Sequence, residues 1–350
     1  MKHLSLLLLG FVLFLPVSLV AQYDVPTFED TLEVYEGLFD ADEPLNLILK
    51  FNVKTFQRTR QQEKYQLAEM TNHVNDTFRV THPVRLKARG IFRRDNCVTP
   101  PFWLNIRYSD IEAEELQDVR RMKMVTRCRP SKQYENYILR EYLVYKIYNI
   151  ISPYGFRVRL IRLKYIDTGR NNKEAEDWAF LIESDDLMAE RLNARVIKSD
   201  QLSMRTVNSD VMNQLAMFQY MIGNGDYSVT GRHNLKILAA EAPGPVGFIP
   251  VPYDFDYTGI VNAHYAVPGE SLGITSVRER YFLGPCRSQS LHQSAINKLA
   301  SFKDEIMEMI LEFEFLDEEE KMDMIGYIES FYQKAENERF VEQNIATTCR

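Results

Sequence analysis

The chain has 350 residues, a formal net charge of -7 and four cysteines. Its acidity excludes a basic nucleic-acid footprint, and a composition that is 45% hydrophobic excludes a wholly disordered chain. No Gly-x-Ser-x-Gly elbow and no His-x-x-x-His pair occurs, so serine hydrolase and zinc hydrolase chemistry have no motif to rest on.

Lys2 and His3 precede an uncharged run from Leu4 to Val20 that ends at Ala21-Gln22, the layout of a secretory signal peptide. Export is therefore expected, to the periplasm, the cell surface or beyond. With no comparable apolar run downstream, the mature chain should have no membrane segment. The remaining length exceeds a usual single core and favours two lobes. In an exported chain the widely spaced Cys97, Cys128, Cys286 and Cys349 read as disulfides, not as a zinc site. Three pairings are open; Cys97 with Cys128 and Cys286 with Cys349 is favoured because each pair then lies within one lobe.

Residues 23–43 are an acidic lead-in. Leu45 to Val53 alternates as a strand, Gln57 to Lys64 is a polar connection or a water-facing strand, and Val84 to Ala88 is a strand ending at Arg89-Gly90. That glycine turn, with Arg93 and Arg94 beyond it, can set backbone N–H groups and guanidinium forks against phosphate oxygens. A basic β-hairpin explains the same residues. Strands follow at Phe102 to Arg107 and Arg120 to Val125, the latter carrying Lys123. Ser131 starts a helix from Lys132 to Ile151 crowded with Tyr137, Tyr142, Tyr145 and Tyr148. Arg157 to Tyr165 and Trp178 to Ile182 read as paired strands, Glu183-Ser184 as a hinge, and Asp185 to Ala194 as a short helix.

Val211, Leu215, Phe218 and Ile222 then mark a helix capped by Ser209 or Asp210, which runs out at Gly223-Asn224-Gly225. Asp226 follows, and Asn234 heads the strand Leu235 to Ala240. A Pro243-Gly244-Pro245 turn leads to a strand that delivers Asp254-Phe255-Asp256 before Gly259. Three carboxylates and a carboxamide on two neighbouring loops are hard oxygen ligands suited to Mg²⁺ or Mn²⁺, although Asp after a glycine turn also serves as a plain turn former. Arg278 and Arg280 read either as substrate-side cations near the cleft or, the favoured reading, as part of a salt-bridged surface segment. Leu291 to Phe315 and Glu318 to Phe340 are expected as two amphipathic helices.

Asn224-Gly225-Asp226, His233-Asn234 and Pro252-Tyr253-Asp254-Phe255-Asp256-Tyr257-Thr258-Gly259 resemble the core signature of the CotH family of secreted and spore-coat kinases. Arg85-Leu86-Lys87-Ala88-Arg89-Gly90 resembles that family's Arg-Gly loop. Tyr137-Ile138-Leu139-Arg140 resembles the Leu-Arg start of its first large helix. The resemblance implies an α+β, two-lobed protein kinase-like fold: a signal peptide at 1–21, a β-rich N-terminal lobe at 22–184 and a mainly helical C-terminal lobe at 185–350. It implies transfer of the γ-phosphoryl of ATP, or another nucleotide, to a hydroxyl of a protein or small molecule, with Mg²⁺ or Mn²⁺; the acidic charge separately argues against a nucleic-acid partner. Asp226 would take the acceptor's proton, while Asn234, Asp254 and Asp256 hold metal. Arg89 and Gly90 would meet the phosphates beside Lys123, which pairs with an acid of the first large helix. Glu135 is the first choice for that acid, because the family places one just before its Leu-Arg pair, and Glu141 is the second. Ile91-Phe92-Arg93 stands where the family has a polar Asn-Ser-Thr. That departure motivates an alternative, a secreted binding or structural protein on the same scaffold without catalysis.

Overall fold

The structure is a computed structural model that describes residues 38–73, 79–106, 121–198, 202–241 and 246–350. The expected signal peptide, most of the acidic lead-in and the Pro243-Gly244-Pro245 turn lie outside the described residues.

Seven strands form a closed barrel: β1 (Leu45–Phe51), β2 (Gln66–His73), β3 (Arg79–Ala88), β4 (Phe102–Ile106), β5 (Arg121–Thr126), β6 (Val158–Asp167) and β7 (Lys173–Ile182). Their order is β1-β2-β3-β4-β5-β7-β6, every pair antiparallel except the one that closes the ring, where β1 runs parallel to β6 from Leu45↔Ile161 to Phe51↔Asp167. The β-rich N-terminal region that was expected is present, but as a closed barrel and not as a typical kinase sheet. Parallel pairing with β6 satisfies the free side of β1 and leaves the sheet no edge. Alternation along each strand turns residues such as Leu49, Leu86, Leu104 and Met124 inward to a core of their own.

Between β1 and β2 lies α1 (Val53–Thr59), where a polar connection or strand was expected. Asn52 caps it by accepting from Thr55 N at 2.8 Å. After β3, Gly90 at φ +75° turns the chain into α2 (Ile91–Asn96). A left-handed angle of that kind favours glycine.

The helix α3 (Lys132–Ile151) packs on the outer face of the barrel, with Tyr142 and Tyr145 against Phe180 at centroid distances of 6.1 and 5.7 Å. It belongs to a second, larger core with α5 (Ser209–Ile222) and the C-terminal helices. Between α3 and α5 come β6, β7, α4 (Asp185–Arg191) and β8 (Ala194–Val196). β8 joins β9 (Leu235–Ala240) and β10 (Ile249–Pro252) in an antiparallel sheet ordered β10-β9-β8. The chain is thus α+β, rich in strands first and helices later.

At the C-terminal end there are three α-helices, not two: α6 (Gln289–Ala300), α7 (Lys303–Glu312) and α8 (Glu318–Ala335), followed by a π-helical turn at Val341–Ile345. The expected long helix breaks at Ser301, whose hydroxyl bonds back to Lys298 O at 2.8 Å, a local bond that competes with the helical ladder. Disulfides join Cys97 to Cys128 and Cys286 to Cys349, the favoured pairing. Among the described residues no helix is long and apolar enough to cross a membrane.

Candidate active site

The helix α5 ends in a left-handed Gly223 (φ +68°), with Asn224 N bonded back to Gln219 O at 2.8 Å. Asn224 is buried; its Nδ2 donates to Gln219 Oε1, and its Oδ1 accepts from Asp226 N at 2.8 Å. This fixed turn presents the Asp226 carboxylate at the surface, with a side-chain exposure of 43%. Asn234 Nδ2 donates to Asp226 O (2.8 Å) and Oδ2 (3.0 Å), while His233 Nε2 lies 2.9 Å from Oδ1.

The second acidic loop leaves β10. Asp254 donates its backbone N–H to Tyr145 OH at 2.8 Å. Phe255 is fully buried, its ring 4.7 Å from Tyr145 and 6.0 Å from Phe218. That anchor fixes the backbone between the two acids. Two backbone bonds join the loops, Gly259 N to Gly223 O at 3.0 Å and Ile260 N to Ile222 O at 3.1 Å. Asn234 and Asp254 both sit at positive φ, +51° and +64°. Asn and Asp adopt this region more readily than other side chains, and such angles often mark functional sites.

A cleft of about 330 Å³ is lined by Arg89, Gly90, Arg93, Asp226, Asn234, Asp254 and Asp256, among others. The structure therefore brings together six of the residues singled out from sequence: Asp226, Asn234, Asp254, Asp256, Arg89 and Gly90. A larger cleft of about 530 Å³ lies beside the Ser184 to Leu187 passage and is lined also by Trp103, Arg121 and Lys236. Arg89 stacks on Trp103, 5.4 Å from the ring centre.

Lys123 and its expected acid partners are arranged differently. Lys123 is buried on the outer face of β5, and its Nζ meets Asp185 Oδ1 at 2.9 Å, not Glu135 or Glu141. The strand register explains this correction: Lys123 stands opposite Ile182, and the chain leaving β7 carries Asp185 to it three residues later. Glu135, in the first turn of α3, pairs with Lys132 at 3.0 Å and Arg127 at 3.7 Å. Burial pushes the Lys123 ammonium down to about 8, Asp185 pulling the other way. Asp185 is itself drawn down to about 2: burial opposes the shift, but Lys123 and Lys236, the latter at 2.7 Å, outweigh it.

Glu141 instead takes Arg93, one of the two arginines offered to phosphate oxygens from sequence; the other, Arg94, pairs with Glu63 at 2.7 Å. Arg93 Nη2 donates to Glu141 Oε2 at 2.9 Å, and Nε donates to Asp256 Oδ2 at 3.0 Å. Tyr265 OH also donates to Asp256 Oδ2, at 3.2 Å. Glu141 has no exposure, and burial raises its carboxyl to about 8, with Arg93 opposing and Asp256 and Asp254 adding to the shift. Burial raises Asp256 as well, against Arg93. Oxygens of Glu141, Asp254 and Asp256 lie within 4.8 Å of one another, a donor set that fits a hard divalent cation. Arg278 is salt-bridged, as expected, whereas Arg280 is part-buried and bonds carbonyl and hydroxyl oxygens. Arg278 forks onto Asp323 through two 3.0 Å bonds, and Arg280 donates to Met221 O.

No family model matches this chain, nor does any curated protein. Among solved structures it is similar to a Helicobacter pylori proinflammatory kinase, CtkA. The match has 11% identity, covers 73% of this chain and 94% of that one, and has a TM-score of 0.41. That likeness is loose, and the function proposed for this chain stands on the cleft.

Proposed function

We propose that the cleft transfers the γ-phosphoryl group of a nucleotide, ATP being the first choice, to a hydroxyl of a protein or small molecule. One observation carries this reading: two acidic loops, bonded to each other through Gly259 and Gly223, put Asp226, Asn234, Asp254 and Asp256 on the same cleft as the Arg89-Gly90 turn. Asp226, held by Asn234 and beside His233, accepts the acceptor's proton as its oxygen bonds to the γ-phosphorus. The bond from that phosphorus to the β-phosphate bridge oxygen breaks, and the nucleoside diphosphate leaves. Arg89 and the Gly90 backbone line the cleft as groups able to meet phosphate oxygens; Lys236 lines the larger cleft, and the buried Lys123 joins it through their shared partner Asp185 to steady the phosphates. A bound Mg²⁺ or Mn²⁺ would screen the phosphate charge during transfer. In this reading residues 22–184 and 185–350 are the two lobes of a CotH-like kinase. Two disulfides support export of the mature chain.

The test is ATP-dependent labelling with Mg²⁺ or Mn²⁺, comparing wild type with Asp226→Ala and Asp254→Ala. Labelling in wild type and its loss in both variants is the expected result; labelling that survives both refutes the assignment. A second reading, a nucleotide-binding protein without catalysis, is favoured by the Arg93–Asp256 pair, since a guanidinium already neutralises one expected metal ligand. Thermal stabilisation by saturating ATP and Mg²⁺, worth about 2.7 kcal/mol at a hundredfold excess over Kd, without any transfer would select it.

A further inference from the structure

Asp254, Asp256 and Arg93 line the cleft, and the fully buried Glu141 meets the Arg93 guanidinium beside them. Arg93 binds one oxygen of Glu141, Oε2, and one of Asp256, Oδ2, with a longer 3.5 Å contact to Tyr265 OH. The other oxygen of Glu141, Oε1, is fully buried and has no hydrogen-bond partner among the described residues. A buried carboxylate oxygen without a donor is costly unless something fills the place beside it. Glu141, Asp254 and Asp256 each offer an oxygen within 4.8 Å of the others, so one small cation can reach all three. With an ion bound and all three carboxyls ionised, three negative charges against one guanidinium, which does not lose its proton, leave two, and one divalent cation balances them. Asn234, which the CotH resemblance makes a ligand, instead directs its Nδ2 at Asp226.

We propose that Glu141, Asp254 and Asp256 hold one divalent cation, Mg²⁺ or Mn²⁺, and that Arg93 is a fixed counter-charge standing where a second ion would otherwise bind. The ion's use in catalysis rests on the phosphoryl-transfer reading; its binding does not. Because Arg93 lies on α2 directly after the Gly90 turn, the same guanidinium also ties the phosphate-side turn to α3 and to the second acidic loop.

The experiment is titration of the mature chain with Mn²⁺ in the absence of nucleotide, read by electron paramagnetic resonance and calorimetry. One Mn²⁺ per wild-type chain is expected. Glu141→Gln and Asp254→Asn should each weaken binding at least tenfold, whereas Asn234→Ala should change it less than twofold, and Arg93→Met should admit a second ion. Two ions in wild type, none at all, or a loss in Asn234→Ala as large as in Glu141→Gln overturns the proposal. Should the buried Glu141→Gln variant not fold, wild-type stoichiometry and the partly exposed Asp254 still decide the matter. One bound Mn²⁺ without any nucleotide-dependent stabilisation supports the ion site and removes the kinase reading. Stabilisation by ATP and Mn²⁺ that is unchanged in folded Glu141→Gln removes the ion site alone.

Discussion

Arg93 meets Asp256 with two donors on one oxygen, Nε at 3.0 Å and Nη2 at 2.8 Å from Oδ2, while Nη2 also reaches Glu141. The Arg93, Asp256 and Glu141 side chains are only 11%, 8% and 1% exposed. Removing one partner of so buried a network leaves uncompensated charge, at a cost of about 3–5 kcal/mol. Arg93→Met should lower the urea-unfolding free energy by that amount, and excess Mn²⁺ should restore more stability to the variant than it adds to wild type. A loss under about 1 kcal/mol, the scale of an exposed pair, contradicts a buried network.

Lys123 predicts a pH dependence. Its ammonium is lowered to about 8 in the folded chain, against about 10.4 when unfolded. Between these values the unfolded state binds more protons, so this group's contribution to stability rises with pH across the window. Phosphate binding works the other way, because an anion needs the charged form. Nucleotide affinity should therefore be highest below pH 8 and fall above it, and Lys123→Met should flatten that fall. Asp185 keeps Lys236 as a partner in the variant, so folding is preserved. An affinity that is level from pH 7 to 9.5 in wild type would show that Lys123 does not meet the nucleotide.

The acidic loops were legible from sequence because local rules write them: a glycine stop after an apolar helix, then acids within a few positions. Helix α3 was legible to the residue, since Ser131 opens it and apolar bulk runs to Ile151. Helix α1 was not, because its only buried residue is Phe56 and the rest is polar. Strand β2 was hidden by Leu67, an apolar residue that faces out with 66% exposure. Barrel closure and the Arg93–Glu141 pair are long-range facts. β1 meets a strand more than a hundred residues on, and residues 93 and 141 lie 48 apart in sequence. Nothing in the local pattern near Lys123 indicates that strand register, and not a helix acid, chooses its partner.

The C-terminal disulfide should carry much of the stability of the helical region. Cys286 and Cys349 close a loop with a sequence separation of 63 residues, which in the chain-entropy account contributes about 4 kcal/mol. The double change Cys286→Ala/Cys349→Ala should lower the unfolding free energy by 2–5 kcal/mol (roughly the measured range for native disulfides). It should not alter Mn²⁺ stoichiometry, because neither cysteine lines the cleft. A change in stoichiometry would mean that the terminal segment shapes the site.

Gly259 tests the junction between the two acidic loops. Its N–H bonds Gly223 O at 3.0 Å, and a methyl group at 259 would collide with the Val277 carbonyl and the Tyr327 hydroxyl. Tyr327 can shift, but Val277 O is backbone and cannot yield without moving the loop. Gly259→Ala should therefore cost about 1–3 kcal/mol as overpacking. It should also push Asp254 and Asp256 away from Asp226, weakening Mn²⁺ and nucleotide binding tenfold or more. Adding Tyr327→Phe removes the hydroxyl contact at the loss of its 3.2 Å bond to Arg278 O, so the double variant should recover part of the stability and little of the binding. Full binding in Gly259→Ala would show that the convergence of the two loops does not depend on this close approach.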